Sequence, residues 1–266
     1  MKIDYRETTD DLIKRIDIHN RYGSKDIDKW MLNILPLQKG QAILDIGCGA
    51  GKQCFSYYHH LEGQASITGG DVSDELLAQA IKTNHDVNDA INFIKLDFDS
   101  PFNLADDYFD LASCCFAIYY ATDIPFTISE IHRVLKPGGH LFTTGPMPEN
   151  KQLFYEIIRE ATGKDIPPMP GSSRYGSAIL AEITSRFSDV SLHLFENPLV
   201  FDSVEPFMVY TRASLSEDRK LWKSFFETSE DFERIINAIE LTASKRLAED
   251  GSLVMTKVVG GFLAKK

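Results

Sequence analysis

Three aspartates and one glycine-rich turn hold most of the chemistry this sequence offers. The run Ile43-Leu44-Asp45-Ile46-Gly47-Cys48-Gly49-Ala50-Gly51-Lys52-Gln53 reads as a strand, a tight turn and the start of a helix. Glycines there let a ligand approach the main chain, and the first helical turn offers unpaired N–H groups. Lys52 stands where the dinucleotide fingerprint G-x-G-x-x-G would need its last glycine. Asp45 lies just before the first glycine, where its carboxylate repels a pyrophosphate and favours a ligand bearing an ammonium group. Asp71 closes the next apolar run and can accept hydrogen bonds from both hydroxyls of a ribose. Asp97 closes the third and is followed by Phe98, a carboxylate for an adenine amino group beside a ring for its face. Together the three acids suit a nucleoside with a cationic amino-acid tail and no phosphate. Each residue also has a plainer reading: tight turns need glycine for their own sake, Asp71 could cap a helix, and Asp97 could be a solvated turn acid.

These residues need a scaffold that brings strand ends to one edge. Between Gln41 and about Thr144, QAILDIG, SITGGDV, INFIKLD, FDLASCCFAIYY and GHLFTTG read as strands, several nearly continuous in apolar residues, as in a parallel sheet buried on both faces. Helical patterns at Gly51–Leu61, Asp74–Asn84 and Asp123–Leu135 separate them, with Leu76, Leu77, Ala80 and Ile81 on one face of the second. Lys136-Pro137-Gly138-Gly139 stops the third helix and turns into the next strand. The alternation predicts a doubly wound α/β fold with right-handed crossovers. Upstream, Ile27, Trp30, Met31, Ile34 and Leu35 form an amphipathic stripe ended by Pro36, preceded by the polar segment HNRYGS. Downstream, Asn150–Ala161 and Ala178–Phe187 look helical and flank the loop GKDIPPMPGSSRYGS. Val190–Glu196 and Val254–Ala264 read as strands. Between them lie two helical stripes, Leu221, Trp222, Phe225 and Phe226, then Phe232, Ile235, Ile236, Ile239, Ala243 and Leu247.

At Asp45–Gly51 the sequence resembles the class I S-adenosylmethionine-dependent methyltransferases, in particular the small-molecule group whose first motif reads D-x-G-C-G-x-G. Gly70-Asp71-Val72-Ser73, Leu96-Asp97-Phe98, Phe109-Asp110-Leu111 and Leu135-Lys136-Pro137-Gly138-Gly139 match in order and spacing. The likeness covers residues 26 to 145 and a final strand pair. It implies a Rossmann-like, doubly wound, seven-stranded and mostly parallel sheet with an antiparallel last strand. On that basis residues 1–36 form an N-terminal helical lid and 37–146 the cofactor-binding core. Residues 147–187 and 197–252 are helical insertions on the acceptor side, and 188–196 and 253–266 the final strands, all in one domain. Carried over by position, Asp45, Gly47, Cys48, Gly49 and Gly51 hold the methionine part of S-adenosylmethionine. Asp71 holds the ribose, Val72 also binds the cofactor, Asp97 and Phe98 frame the adenine, and Cys115 touches the cofactor from the fourth strand. Gly70 departs from the pattern, in which a bulky apolar residue is commoner, and is expected to loosen the strand end. Cys114-Cys115-Phe116 replaces polar residues that some members use on the acceptor, and no N-P-P-Y or D-P-P-Y sequence follows.

The implied reaction is an in-line methyl transfer to a small-molecule acceptor, with O- or N-methylation favoured, in which the protein aligns, desolvates and where needed removes a proton. Tyr22, Tyr119, Tyr120 and Arg174 are the acceptor-side candidates; Tyr175 shares the loop of Arg174. No catalytic base is assigned among His19, His59, His60 and His132. Phe207, Tyr210, Trp222, Phe225 and Phe226 are core aromatics that can also wall a pocket. No metal-ligand cluster is apparent. Competing readings are a non-catalytic partner subunit of the same fold, a tRNA or protein methyltransferase, and an NAD-dependent oxidoreductase. The chain has 266 residues with 28 Lys plus Arg against 39 Asp plus Glu, a net charge of -11, which disfavours nucleic acid as partner. Cys48, Cys54, Cys114 and Cys115 show no zinc-ligand spacing and read as free thiols of a reducing compartment. With no apolar signal core and no long apolar run, a cytoplasmic protein without membrane association is expected.

Overall fold

The computed structural model describes residues 9–166, 170–217 and 228–266. Seven strands make one sheet: β1 Ala42–Ile46, β2 Ser66–Asp71, β3 Asn92–Lys95, β4 Phe109–Cys115, β5 Leu135–Pro146, β6 Ser188–Phe201 and β7 Leu253–Lys265. Their order is β3-β2-β1-β4-β5-β7-β6. The first five run parallel, and β7 inserts antiparallel between β5 and β6. This is the expected Rossmann-like sheet with its reversed last strand. The order turns back between β1 and β4, so the crevice outside their carboxyl ends is where such sheets receive ligands.

Helices cover both faces. On one, α2 (Ile27–Ile34), α3 (Lys52–His60) and α4 (Asp74–Asn84) bury Met31, Cys54, Tyr57 and Leu77 against Ile43, Ile67 and Leu111. Leu76 and Ile81, expected on the buried face of α4, are exposed instead. On the other, α5 (Ile124–Val134) and α8 (Ser177–Thr184) bury Ile128, Ile131, Ile179 and Ile183 against Leu44, Ala112 and Leu141. A third cluster lies beyond the sheet proper. The carboxyl end of β5, Pro146, pairs with Val259, so residues 253–258 of β7 and their partners on β6 overhang the edge. On this overhang pack α6 (Gln152–Thr162), α9 (Val204–Glu217) and α10 (Ser229–Asp250), burying Phe154, Phe207, Tyr210, Ile236 and Ile239 with Leu199, Phe201 and Met255.

Several elements differ from the sequence reading. The run FDLASCCFAIYY is not one strand: β4 stops at Cys115, Phe116 adopts a left-handed φ of 56°, and Ile118–Tyr120 form a 3-10 turn. Lys136–Gly139 lies within β5, looped out of a ladder that pairs Phe109 with Leu135 and resumes at Leu111 and His140. β6 runs to Phe201 rather than Glu196, because Phe195, Asn197, Leu199 and Phe201 keep alternating inward. The segment before α2 carries a helix of its own, α1 (Thr9–Tyr22), which packs mainly on α9 and also on β6. The short helix α7 (Pro170–Arg174) interrupts the Pro/Gly/Ser loop. Leu221, Trp222, Phe225 and Phe226 lie outside the described residues. All four cysteines are free thiols, and among the described residues no helix is long and apolar enough to cross a membrane.

Gly70 does not loosen the end of β2. A Cβ there would stand 2.8 Å from Leu96 Cβ, and one on Gly69 would stand 2.8 Å from both Cys54 Sγ and Phe93 Cε1. Both glycines are filled by neighbours, so space rather than flexibility fixes them. Gly69→Ala is therefore expected to overpack the β2–α3 contact and lower stability by about 1–3 kcal/mol. Urea denaturation should show a lower midpoint at unchanged slope.

Candidate functional site

At the end of β1 the chain turns through Gly47, Gly49 and Gly51, with φ of 70°, 54° and 85°. Gly47 cannot carry a side chain: a Cβ there would meet Ala117 Cβ at 2.5 Å. The end of β2 holds this turn. Gly70 O accepts from Gly47 N at 2.8 Å and Cys48 N at 3.1 Å. Asp71 Oδ2 accepts from Gly49 N at 2.8 Å, while its Oδ1 accepts from Ser73 N, also at 2.8 Å. The helix cap of α4 is Ser73, not Asp71.

Asp45 is buried at 2% exposure. Ser113 Oγ donates to its Oδ1 at 2.6 Å, and Cys54 Sγ lies 3.6 Å from Oδ2. Desolvation pushes the carboxyl up to about 7, against the opposing hydrogen bonds from Ser113 and Cys54 and aided by the nearby charge of Asp71. Asp97 is exposed two residues past β3, with Oδ1 accepting from Asp99 N at 3.0 Å. Phe98 is half-buried, its backbone carbonyl held by Thr127 Oγ1 at 3.0 Å, and its ring edge lies 3.9 Å from the Cβ position of Gly47. Val72, at 55% exposure, and Leu76 leave apolar surface uncovered beside the turn. Cys115 ends β4 half-buried, its thiol pushed up chiefly by desolvation, which makes it an inert group.

The acceptor-side candidates divide. Tyr119, buried, and Tyr120, half-buried, stack at 4.5 Å after β4. Arg174 spends its guanidinium on the carbonyls of Tyr119 at 2.6 Å and Ala121 at 2.7 Å, bracing that turn. Tyr175 is core: its hydroxyl donates to Thr143 O at 2.8 Å. Tyr22 packs 5.0 Å from Phe201 at the end of α1, on the overhang. Of the histidines, His59 and His60 are exposed late in α3, and His132 packs edge-on to Phe187 on the side of α5. His19, by contrast, reaches a pocket.

That pocket has a volume near 400 Å³ and lies between the α1–α2 junction, the start of α3 and the overhang; His19, Asp28, Lys52, Asn197 and Lys257 are among its walls. Asp28 Oδ2 pairs with Lys52 Nζ at 2.8 Å, tying α2 to the glycine turn, while Asp28 Oδ1 is buried without a hydrogen-bond partner. Asn197, 3% exposed, accepts from Ser24 N at 3.0 Å and Lys25 N at 3.2 Å and donates to Lys25 O at 3.2 Å. It clamps the junction between α1 and α2 over the site. Sequence reasoning missed Asn197 because its partners lie 172 and 173 residues away. The pocket's basic residues were equally hidden, because His19 of α1, Lys52 of α3 and Lys257 of β7 come from separate parts of the chain.

The sheet order, the glycine turn and the acid-ended strands together define a class I S-adenosylmethionine-dependent methyltransferase fold. Residues 44–143 match the family model described as a methyltransferase domain. The chain is 30% identical over 151 residues to the ubiquinone/menaquinone biosynthesis C-methyltransferase UbiE of Paracoccus denitrificans, covering 53% of this chain and 59% of that protein. It is 27% identical over 191 residues to the 27-O-demethylrifamycin SV methyltransferase of Amycolatopsis mediterranei, covering 69% and 63%. The chain spans less than two thirds of the length of each of these curated relatives. Among solved structures, phosphoethanolamine N-methyltransferase 2 of Haemonchus contortus with S-adenosyl-L-methionine shares the fold at a TM-score of 0.57 and 18% identity, over 100% of this chain and 58% of that one.

Two measurements test the geometry. Asp45 titrates near 7 in the folded protein against 3.8 as a free side chain, so its contribution to stability is full below about pH 4 and lost as pH rises through about 7. Asp45→Asn mimics the protonated form. Its stability relative to wild type, from urea denaturation of cofactor-free protein, is expected to rise between about pH 4 and pH 7. Asn197→Ala strips partners from three backbone groups and is expected to cost about 1–3 kcal/mol. Hydrogen exchange at the amides of Ser24 and Lys25 should accelerate; unchanged protection would refute the clamp.

Proposed function

We infer that the protein transfers a methyl group from S-adenosylmethionine to a small-molecule acceptor, with oxygen or nitrogen as the favoured nucleophile. The observation that carries this reading is the way Asp71 and Gly70 present the glycine turn while acids stand at the ends of β1, β2 and β3. The residues suit the cofactor. The orphaned Asp28 Oδ1 is a ready acceptor for an α-ammonium, and Val72, Leu76 and Phe98 offer apolar surface to a purine.

S-adenosylmethionine, when bound, supplies a methyl group already activated on a sulfonium. The chain's own task is position and exclusion of water. Each Asp71 oxygen already accepts one backbone N–H and keeps a lone pair for a ribose hydroxyl. Asp45, ionised by a nearby cation, opposes the tail's positive charge through the turn. Asp97 and Phe98 take the adenine, with Gly47, Cys48, Gly49 and Gly51 forming the floor. The tip of β4 at Cys115 and the pair Tyr119 and Tyr120 flank the path to the acceptor. The overhang helices and α1 close over it, as a lid whose junction Asn197 secures. The relatives, an O- and a C-methylating enzyme among them, support a small-molecule acceptor without choosing the atom.

Calorimetry with S-adenosylhomocysteine should give saturable, one-to-one binding, and folded protein that fails to bind would refute the reading. Asp71→Ala removes the ribose acceptor and a support of the turn together, and is expected to weaken that binding at least about tenfold.

A further inference from the structure

One exposed carboxylate ties the loop after β3 to the turn after β4. Asp99 Oδ1 accepts from Thr122 N at 2.6 Å and from Asp123 N at 3.4 Å, and its Oδ2 accepts from Thr122 Oγ1 at 2.8 Å. Those two amides stand just ahead of α5, whose cap is Asp123, so no carbonyl of the helix reaches them. A carboxylate suits the place twice, as a charged acceptor and as an anion at a helix N-terminus.

The main chain of Asp99 serves the donor side. Its N–H donates to Asp97 Oδ1 at 3.0 Å, and Ser100 N donates to Asp97 O at 3.1 Å. Asp97 is the acid assigned to the adenine amino group, and the contact holds one of its oxygens while the other is left to the base. Thr127, fully buried on α5, adds a second tie: its hydroxyl lies 3.0 Å from both Phe98 O and Asp123 O. Beyond Thr122, the carbonyls of Ala121 and Tyr119 take the two arms of Arg174 from α7. Ala117, before the same turn, fills the space at Gly47, where a Cβ would stand 2.5 Å from Ala117 Cβ and 3.9 Å from the Phe98 ring. A continuous set of contacts thus runs from the glycine turn and the adenine loop, through Asp99, to the turn that carries Tyr119 and Tyr120.

We propose that Asp99 is a positioning residue that makes the donor's adenine loop and the acceptor-side turn one unit, so that the donor, by fixing the first, fixes the second before the acceptor enters. The proposal rests on the methyltransferase reading, which places the adenine at Asp97 and Phe98. It adds an order of events, donor first and acceptor second. A base seated on Asp97 and Phe98 favours the loop conformation in which Asp99 meets Thr122, and that preference is what couples the two places.

Amide hydrogen exchange is followed by NMR in wild type, Asp99→Ala, Asp99→Asn and Thr122→Val, each free and saturated with S-adenosylhomocysteine, with affinities from calorimetry. In wild type, S-adenosylhomocysteine is expected to slow exchange at Tyr120, Ala121 and Thr122 at least about fivefold. In saturated Asp99→Ala that added protection should disappear, and affinity should fall at least about threefold. Asp99→Asn keeps an oxygen for the Thr122 amide and gains a donor for Thr122 Oγ1, so it should retain most of both. Thr122→Val removes the hydroxyl arm alone and should fall between Asp99→Ala and wild type. Asp99 is exposed, and a thermal melt confirms that each variant is folded. A merely structural tie speeds exchange equally in free and saturated Asp99→Ala and leaves the donor's added protection in place, an outcome that overturns the proposal. Wild type that binds S-adenosylhomocysteine with no change at these three amides also overturns it and leaves the methyltransferase reading standing. Wild type that binds no S-adenosylhomocysteine overturns that reading, and the proposal with it.

Discussion

The main chain from Gly47 to Gly49 is oriented by the end of β2, through one carbonyl and one carboxylate. A turn with three left-handed glycines has no preferred shape of its own, since glycine samples many conformations and pays for being fixed. Gly70 O takes two of its amides and Asp71 a third, so the turn's geometry is borrowed from the sheet. The register between β1 and β2, Ile46 opposite Gly70, sets where that carbonyl stands. The fold's hydrophobic core and its ligand geometry are therefore linked through one strand pair. A shift of that register by one residue would face the strands the wrong way and leave the turn unsupported.

The second constraint is the overhang. A parallel sheet ends where its strands end, and leaves the carboxyl edge open to solvent. Here β6 and β7 continue past Pro146, and their outer residues give α6, α9 and α10 something apolar to bury against. Asn197 and Lys257 are opposite one another on that extension, one turned to the backbone of the α1–α2 junction and the other to the tip of β4. The same pair of strands thus roofs the site and places Lys257 in its wall.

What was legible in the sequence follows from the range of each interaction. The strand–helix alternation, the glycine turn and the acids at strand ends are local patterns, and Asp45, Asp71 and Gly47–Gly51 do converge at one edge. The end of β4 was illegible because CCFAIYY is apolar throughout, and only the left-handed Phe116 breaks it. β6 runs past Glu196 through Pro198, whose missing N–H is tolerable on an edge strand. Helix α1 has a thin apolar stripe, with Ile18 buried and Ile16 exposed, and depends on α9 for its partner. Arg174 has the charge of an anion binder, yet two carbonyls consume it. No spacing rule announces that, nor that His19 and Lys257 line one pocket.

Charge is distributed across the site rather than balanced at each point. Acids stand at the ends of β1, β2 and β3, and bases gather over β4 and β7, with the Asp28–Lys52 pair on the boundary between them. A sulfonium loses its positive charge as its methyl departs, and a buried setting of low dielectric favours any step in which charge is reduced. Asp45, its carboxyl pushed up to about 7 by burial, can ionise against a cationic ligand and stay out of its reach behind the turn. The acid side thereby answers the donor's charge without offering a competing nucleophile, since both Asp71 oxygens are bound to amides and Cys115 is kept as a thiol. On the basic side Asp26 Oδ1 accepts two amides and Asp28 Oδ2 pairs with a lysine, while Asp28 Oδ1 is buried. A site that handles an alkylating sulfonium is better served by nucleophiles that are buried, paired or protonated than by free ones, and this arrangement keeps its own nearest candidates in those states.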